Sequence, residues 1–266
     1  MHIGPKGKKV QIENLMSVFN DTTNSYKFYW FLAILDEIKN KKNNEISIQE
    51  LCYKMLTEVW YPLNFYRLSF GKADSFRIIS DFINENVEID LSINSDPLIQ
   101  QIEVGLDLKA RQVFENKINI LKRWVPYRFI RPFFAKETRG IADSRVNATI
   151  NNLSNYSAKN TPEYCPYYFS EGKIIINQPW FEYFIDNLGL LTNFTNWHLI
   201  KFLQRNNPNV PGLSEKIYKP TRRYLHKYVK GWEKFLEYNT YEKCIYSDKK
   251  IINDFTIDHF CLFRTY

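Results

Sequence analysis

The sequence predicts a mainly α-helical protein that carries one small β-hairpin near residues 167–176. Three observations predict it. Apolar residues recur at helical spacing over several long windows. Ser47-Ile48-Gln49-Glu50 and Asp96-Pro97 are helix-start signals placed just ahead of two such windows. Between two helical stretches, Tyr167-Tyr168-Phe169-Ser170 and Lys173-Ile174-Ile175-Ile176 flank Glu171-Gly172, a strand–turn–strand pattern. The chain has 266 residues, 44% of them apolar and 17% aromatic. That content excludes a disordered tail, a collagen-like chain and a disulfide-rich mini-scaffold.

In chain order, Thr22-Thr23-Asn24-Ser25 can cap a helix from 26 to about 39, whose apolar side is Phe28, Phe31, Leu32, Leu35 and Ile38. The capping box at Ser47 and Glu50 opens a second helix, expected to run to about Trp60 and stop before Pro62. A third covers about 73–84. A fourth, with Pro97 in its first turn behind Asp96, runs to about Ile120. Pro126 and Pro132 are then expected to break any helix across Trp124-Val125-Pro126-Tyr127-Arg128-Phe129-Ile130-Arg131-Pro132-Phe133-Phe134. This segment reads as an aromatic core strap. The competing reading is a nucleic-acid platform, with bases stacked on aromatics and phosphates held by Arg128 and Arg131. Beyond the hairpin, Pro179 opens a helix to about 187, and another covers 196–204. Asn206-Asn207-Pro208-Asn209-Val210-Pro211-Gly212 has linker composition. The domain reading is a helical region over 1–205, a linker over 206–215, a basic helix over 216–236 and a distinct C-terminal motif over 237–266.

Lys plus Arg number 36 and Asp plus Glu 29, a net charge of +7. Seven basic residues lie between 216 and 234 (Lys216, Lys219, Arg222, Arg223, Lys227, Lys230, Lys234) against Glu233 alone, a local net of +6. Tyr224, Tyr228 and Trp232 can pack as one stripe at i, i+4, i+8 and leave the cations outward. Lys219, Arg222, Arg223, Lys227 and Lys230 are therefore candidate contacts to a DNA backbone, which position the chain without reading sequence. A solvated helix face is the bland alternative. The N-terminus shows no apolar run of signal-peptide length and no stretch long enough to span a bilayer, so the sequence reads as a soluble, cytoplasmic chain without a membrane partner. Cys52, Cys165, Cys244 and Cys261 have no metal-knuckle spacing. There is no phosphate-binding glycine loop, dinucleotide fingerprint or nucleophile elbow. His198 and His226 read as structural.

The chemistry-bearing signal lies at 241–260. Cys244-Ile245-Tyr246-Ser247, then Lys249-Lys250-Ile251, then Phe255-Thr256-Ile257-Asp258-His259 read as strand, turn, strand ending in an acid and a histidine. This resembles the opening hairpin of the HNH endonuclease, or ββα-metal, motif, with Asp248 where the family's turn usually has Gly. Stretches 23–30 and 125–129 are also similar to the helical N-terminal region of bacterial HNH-domain proteins. The resemblance implies a metal-dependent DNA endonuclease. Asp258 would hold a divalent metal, Mg²⁺ by preference for hard oxygen ligands, and His259 would take a proton from the attacking water. The C-terminal hairpin is an incomplete ββα unit in this sequence. After Asp258-His259-Phe260 it reads Cys261-Leu262, without the family's Pro, Asn, helix or second ligand. Cys261-Leu262 can be encoded by bases that, shifted by one T, read Leu-Pro, so a frameshifted or truncated motif of weak or absent activity is expected. Two other functions fit the composition. One is a non-catalytic nucleic-acid-binding module using the basic helix and the strap. The other is a protein-interaction subunit presenting aromatic surfaces.

Overall fold

The computed structural model describes residues 10–71, 74–89 and 95–218. Among them the protein is mainly α, with one small antiparallel sheet, as the sequence predicts. The helices are α1 (Ile12–Ser17), α2 (Tyr26–Lys41), α3 (Ile48–Asn64), α4 (Phe76–Asn86), α5 (Ser95–Gly105), α6 (Leu108–Ile130), α7 (Asp143–Asn160), α8 (Gln178–Asp186), α9 (Leu188–Asn206) and α10 (Leu213–Lys216). A 3₁₀ turn, Arg131–Phe134, follows α6. The strands are β1 (Glu45–Ser47), β2 (Tyr167–Ser170) and β3 (Lys173–Ile176).

Helix α2 is the hub, packing against α3, α6, α8 and α9. It is apolar nearly all round, so it is buried nearly all round: Phe28, Tyr29, Trp30, Phe31, Ile34 and Leu35 are all in the core. The Trp30 indole N–H donates to the Tyr167 hydroxyl at 3.1 Å, and that hydroxyl donates to the Pro126 carbonyl at 2.5 Å. Two buried side chains thus tie α2, β2 and α6 together while satisfying their own polar atoms. Phe31 sits 5.2 Å from Phe129 and 5.5 Å from Phe184, ring centre to ring centre.

The hairpin forms where the sequence places it. Glu171 and Gly172 both adopt positive φ (44° and 77°), the handedness that a two-residue turn needs to match strand twist. The short third strand, β1, pairs with β3 and makes β3 central, with Ile46 opposite Ile174. A three-residue strand has too little alternation to announce itself; its partner decides it.

Proline is where the helix readings need correcting. α3 does not stop before Pro62 but runs through it to Asn64, and α6 runs through Pro126 to Ile130. A proline removes one helical N–H and crowds one turn, a local cost that burial of neighbouring residues can outweigh. Here Trp60, Leu63, Val125, Phe129 and Ile130 are all buried. The strap is therefore a helix end and a 3₁₀ turn rather than a broken loop. The expected helix from 97 to about 120 is two helices: Asp107 caps α6, its carboxylate accepting from the Ala110 N–H at 2.7 Å. At the start of α3, Ser47 Oγ accepts from the Glu50 N–H at 3.4 Å, but Glu50 turns to Lys41 rather than reaching back to close the box. Ser25 precedes α2 without capping it, since its hydroxyl donates to Asp74 instead.

The linker composition at 206–215 also misleads. Asn207 is buried, and its amide accepts from the Ser69 N–H at 2.7 Å and donates to the Ser69 carbonyl at 2.8 Å. It imitates a strand partner for that residue. Leu213 and Ile217 are buried as well, so the segment is fastened to the core. Asn207→Ala should lower unfolding free energy by about 2–3 kcal/mol, because it leaves both Ser69 groups and the Leu203 carbonyl without their amide partner. Denaturant unfolding checks this, and a loss near zero would show that water replaces the amide at no cost.

The chain divides after Tyr218 into two compact units, Met1–Tyr218 and Lys219–Tyr266. The second unit lies outside the described residues. Among the described residues no helix is long and apolar enough to cross a membrane.

Candidate functional site

The aromatic strap has two faces. Along α6, Phe114, Ile118, Leu121, Val125 and Phe129 form the buried stripe. Ile120, Trp124 and Arg128, at i, i+4, i+8, form the neighbouring stripe, which together with Arg131 of the 3₁₀ turn lines a cavity of about 1000 Å³. The opposite wall is the loop between α1 and α2, residues 20–24, continued by Tyr26 and Lys27 in the first turn of α2. Arg139 and Asp143 line it as well. The core-strap reading thus holds for the phenylalanines, and the arginines of the same segment face an open cavity.

Charge in this cavity is unbalanced. Lys27, Arg128, Arg131 and Arg139 face Asp21 and Asp143, an excess of two positive charges. Lys27 Nζ donates to the carbonyls of Val18 at 3.1 Å and Asp21 at 2.8 Å. Burial lowers the Lys27 pKa; Asp21 opposes this, while Arg131 and Arg128 add to the lowering. Arg128 donates to Asp143 Oδ1 at 3.0 Å, and Arg131 stands 4.0 Å from the same oxygen. One carboxylate, three-quarters exposed, serves two guanidinium groups, and an exposed pair of this kind is weak. The Arg128 guanidinium lies 5.1 Å over the Trp124 ring, which restricts its direction. The cavity suits an anion: planar forks and an ammonium converge on it, with only a loosely held internal counter-ion.

Asp74 is the buried acid next to this region, immediately before Ser75 on the cavity wall. Ser25 Oγ donates to its Oδ2 at 2.7 Å and the Phe76 N–H to its Oδ1 at 2.9 Å. Burial outweighs these bonds and raises its pKa to about 6. Tyr26, whose hydroxyl accepts from the Ser75 N–H, is pushed up to about 12 by burial and by Asp74. Neither described cysteine is a nucleophile candidate: Cys52 and Cys165 are buried, and burial raises the Cys52 thiol to about 12 and Cys165 further still. His198 packs among Phe19, Phe194 and Trp197. Burial, then Lys201, lowers its pKa.

The residues singled out from sequence fall on both sides of the described boundary. Asp258, His259, Lys219, Arg222, Arg223, Lys227 and Lys230 lie outside the described residues, as do the segments read from sequence as a basic helix beyond Tyr218 and a C-terminal hairpin. Lys216, read as the start of that helix, is the last residue of α10. It donates to the Pro211 carbonyl and lies 5.7 Å over the Tyr66 ring. Arg128 and Arg131 are brought together at one cavity. Lys27 and Arg139 were not legible as its members, because they approach from elements that only the fold makes neighbours. Among the described residues no group of three or more His, Cys, Asp or Glu is placed to hold a metal ion. Compared with protein-family models, with curated proteins and with solved structures, the chain matches none.

Proposed function

We propose that the protein acts on DNA as an HNH-type, metal-dependent endonuclease. The observation that carries this reading is the sequence pattern from Cys244 to His259, in which Lys249-Lys250 precede Phe255-Thr256-Ile257-Asp258-His259. A divalent ion on Asp258 would neutralise the scissile phosphate and stabilise the leaving oxygen. His259, the adjacent residue, would accept the proton of the attacking water. Lys219, Arg222, Arg223, Lys227 and Lys230 would hold the backbone of the duplex.

A second reading, a non-catalytic nucleic-acid-binding module, is favoured by two observations independent of the motif. These are the local net of +6 between 216 and 234 and the excess positive charge of the α2–α6 cavity. Both readings predict affinity for a DNA duplex that falls steeply between about 50 and 200 mM salt. They differ on metal. Under the nuclease reading, plasmid nicking with Mg²⁺ or Mn²⁺ disappears with chelator and falls about a hundredfold or more in His259→Ala, while DNA binding survives. Nicking indifferent to both treatments would sink the nuclease assignment. Negligible DNA affinity at low salt would sink both readings and leave a protein-interaction role.

A further inference from the structure

We infer that the cavity between the α1–α2 loop and the end of α6 binds the terminal phosphate of a nucleotide, presented either by a free nucleoside 5′-phosphate or by the phosphorylated end of a strand. This site is independent of the C-terminal motif and of duplex binding by the basic segment.

Four cations line one cavity with two carboxylates among them, an excess of positive charge that favours a phosphomonoester dianion over a singly charged anion. The geometry of the cations favours phosphate too. Arg128 is stacked on Trp124, so its fork is preorganised and loses little freedom on binding, and the 3₁₀ turn places the Arg131 backbone beside it. The Lys27 ammonium has three donors, and the carbonyls of Val18 and Asp21 take two. Like charges are crowded here: Arg128 and Arg131 already disfavour the charged form of Lys27, and a dianion between them would reverse that.

Size and lining extend the ligand beyond bare phosphate. About 1000 Å³ is at the upper end of small-molecule sites and much more than one phosphate group fills. Thr22, Thr23, Asn20 and Asn24 supply donors and acceptors on one wall, and Ile120 supplies an apolar surface on the other. Such a mixture suits a sugar and a base.

Asp143 acts as the internal stand-in. It holds Arg128 at 3.0 Å and Arg131 at 4.0 Å from an exposed position at the first residue of α7, where an incoming phosphate can displace it.

The test uses the full chain, with binding read by calorimetry and stabilisation by thermal melting at constant ionic strength. The probes are adenosine 5′-monophosphate, adenosine, a short single-stranded oligonucleotide with a 5′-phosphate, and its 5′-hydroxyl twin. At least one phosphorylated probe should bind more tightly than its unphosphorylated partner by about tenfold or more. Preference for the monophosphate assigns the site to free nucleotides; preference for the phosphorylated strand assigns it to strand ends. Binding through the basic segment acts on both oligonucleotides alike, so the difference between the twins reads the cavity. The Arg128→Ala, Arg131→Ala double variant should abolish the preference. Asp143→Asn, which removes the competing carboxylate, should strengthen phosphate binding several-fold, a gain that misfolding cannot imitate. His259→Ala should change nothing here, so failure of the nuclease reading leaves this result standing. Equal binding of phosphorylated and unphosphorylated probes, or a preference that persists without Arg128 and Arg131, overturns the proposal.

Discussion

Trp30→Ala is expected to lower the unfolding free energy by about 3–5 kcal/mol, the range for removing a large aromatic from a packed core. Trp30 is fully buried in the second turn of α2, in contact with the Tyr167 ring and inside a cluster that includes Phe31 and Phe129. Its loss does two things. It empties a volume that α2, α6 and the sheet enclose from several sides, where collapse is limited because each wall is itself held. It also removes the donor that orients the Tyr167 hydroxyl toward the Pro126 carbonyl. Tyr167→Phe separates the two effects. It keeps nearly all the volume but leaves the Trp30 N–H without its acceptor, and should lower stability by about 1–3 kcal/mol. The two variants and their double mutant, unfolded in urea, form a cycle whose coupling energy measures the bond. A Trp30→Ala loss below about 1 kcal/mol would mean that the core repacks around the gap.

Asp74 should make the protein more stable at mildly acidic pH than at neutral pH. Its folded-state pKa is raised to about 6 from an ordinary carboxyl value of 3.8, chiefly by burial. A raised carboxyl means that the folded protein holds a proton which the unfolded chain has released. The contribution is therefore fully present below about pH 4 and is lost as pH rises through about 6. The shift corresponds to about 3 kcal/mol between those limits. Asp74→Asn is the informative variant. The amide carbonyl can still accept from the Phe76 N–H, and the amide nitrogen can donate to Ser25 Oγ, but nothing titrates. Unfolding free energies of the wild type and the variant should converge at about pH 4 and below; the wild type should fall behind as pH rises to about 6 and the gap should then hold steady to 7.5. A difference that stays constant between about pH 4 and about 6 refutes the assignment of the acid-linked stability to Asp74. Ser75 and Tyr26 line the cationic cavity, so the same titration places a new negative charge beside it above pH 6.

Several elements were legible because their local signals and their tertiary roles agree. α2 shows unbroken apolar spacing, α3 starts at a Ser-x-x-Glu, α8 opens on Pro179, and the hairpin announces itself through Glu171-Gly172 between two apolar runs. Others were hidden for identifiable reasons. α7 buries only Val146, Ile150, Ser154 and Ser157, a narrow face half made of serines, so its periodicity is faint. α1 is six residues long and β1 three, too short for any pattern. Pro62 and Pro126 gave misleading stops, because the cost of a proline is local and the burial that offsets it comes from residues distant in sequence. Asn207-Pro208 carries the composition of a linker, yet its asparagine amide is committed to Ser69, far back in the chain.

The same division runs through the candidate site. By itself the sequence determined that the protein is mainly helical and rich in buried aromatics. It also determined that its basic charge is concentrated near the C-terminus, and that Arg128 and Arg131 lie among aromatic residues. Those are matters of composition and short-range spacing, which a linear chain displays directly. Only the tertiary structure decided that the phenylalanines of that strap turn inward while its arginines turn toward Lys27, Arg139 and a loop of small polar residues. Convergence of charge is a property of three-dimensional neighbours. Lys27 and Arg131 are remote along the chain, and what brings them to one cavity is the burial of α2 against α6, driven by apolar residues that take no part in the site.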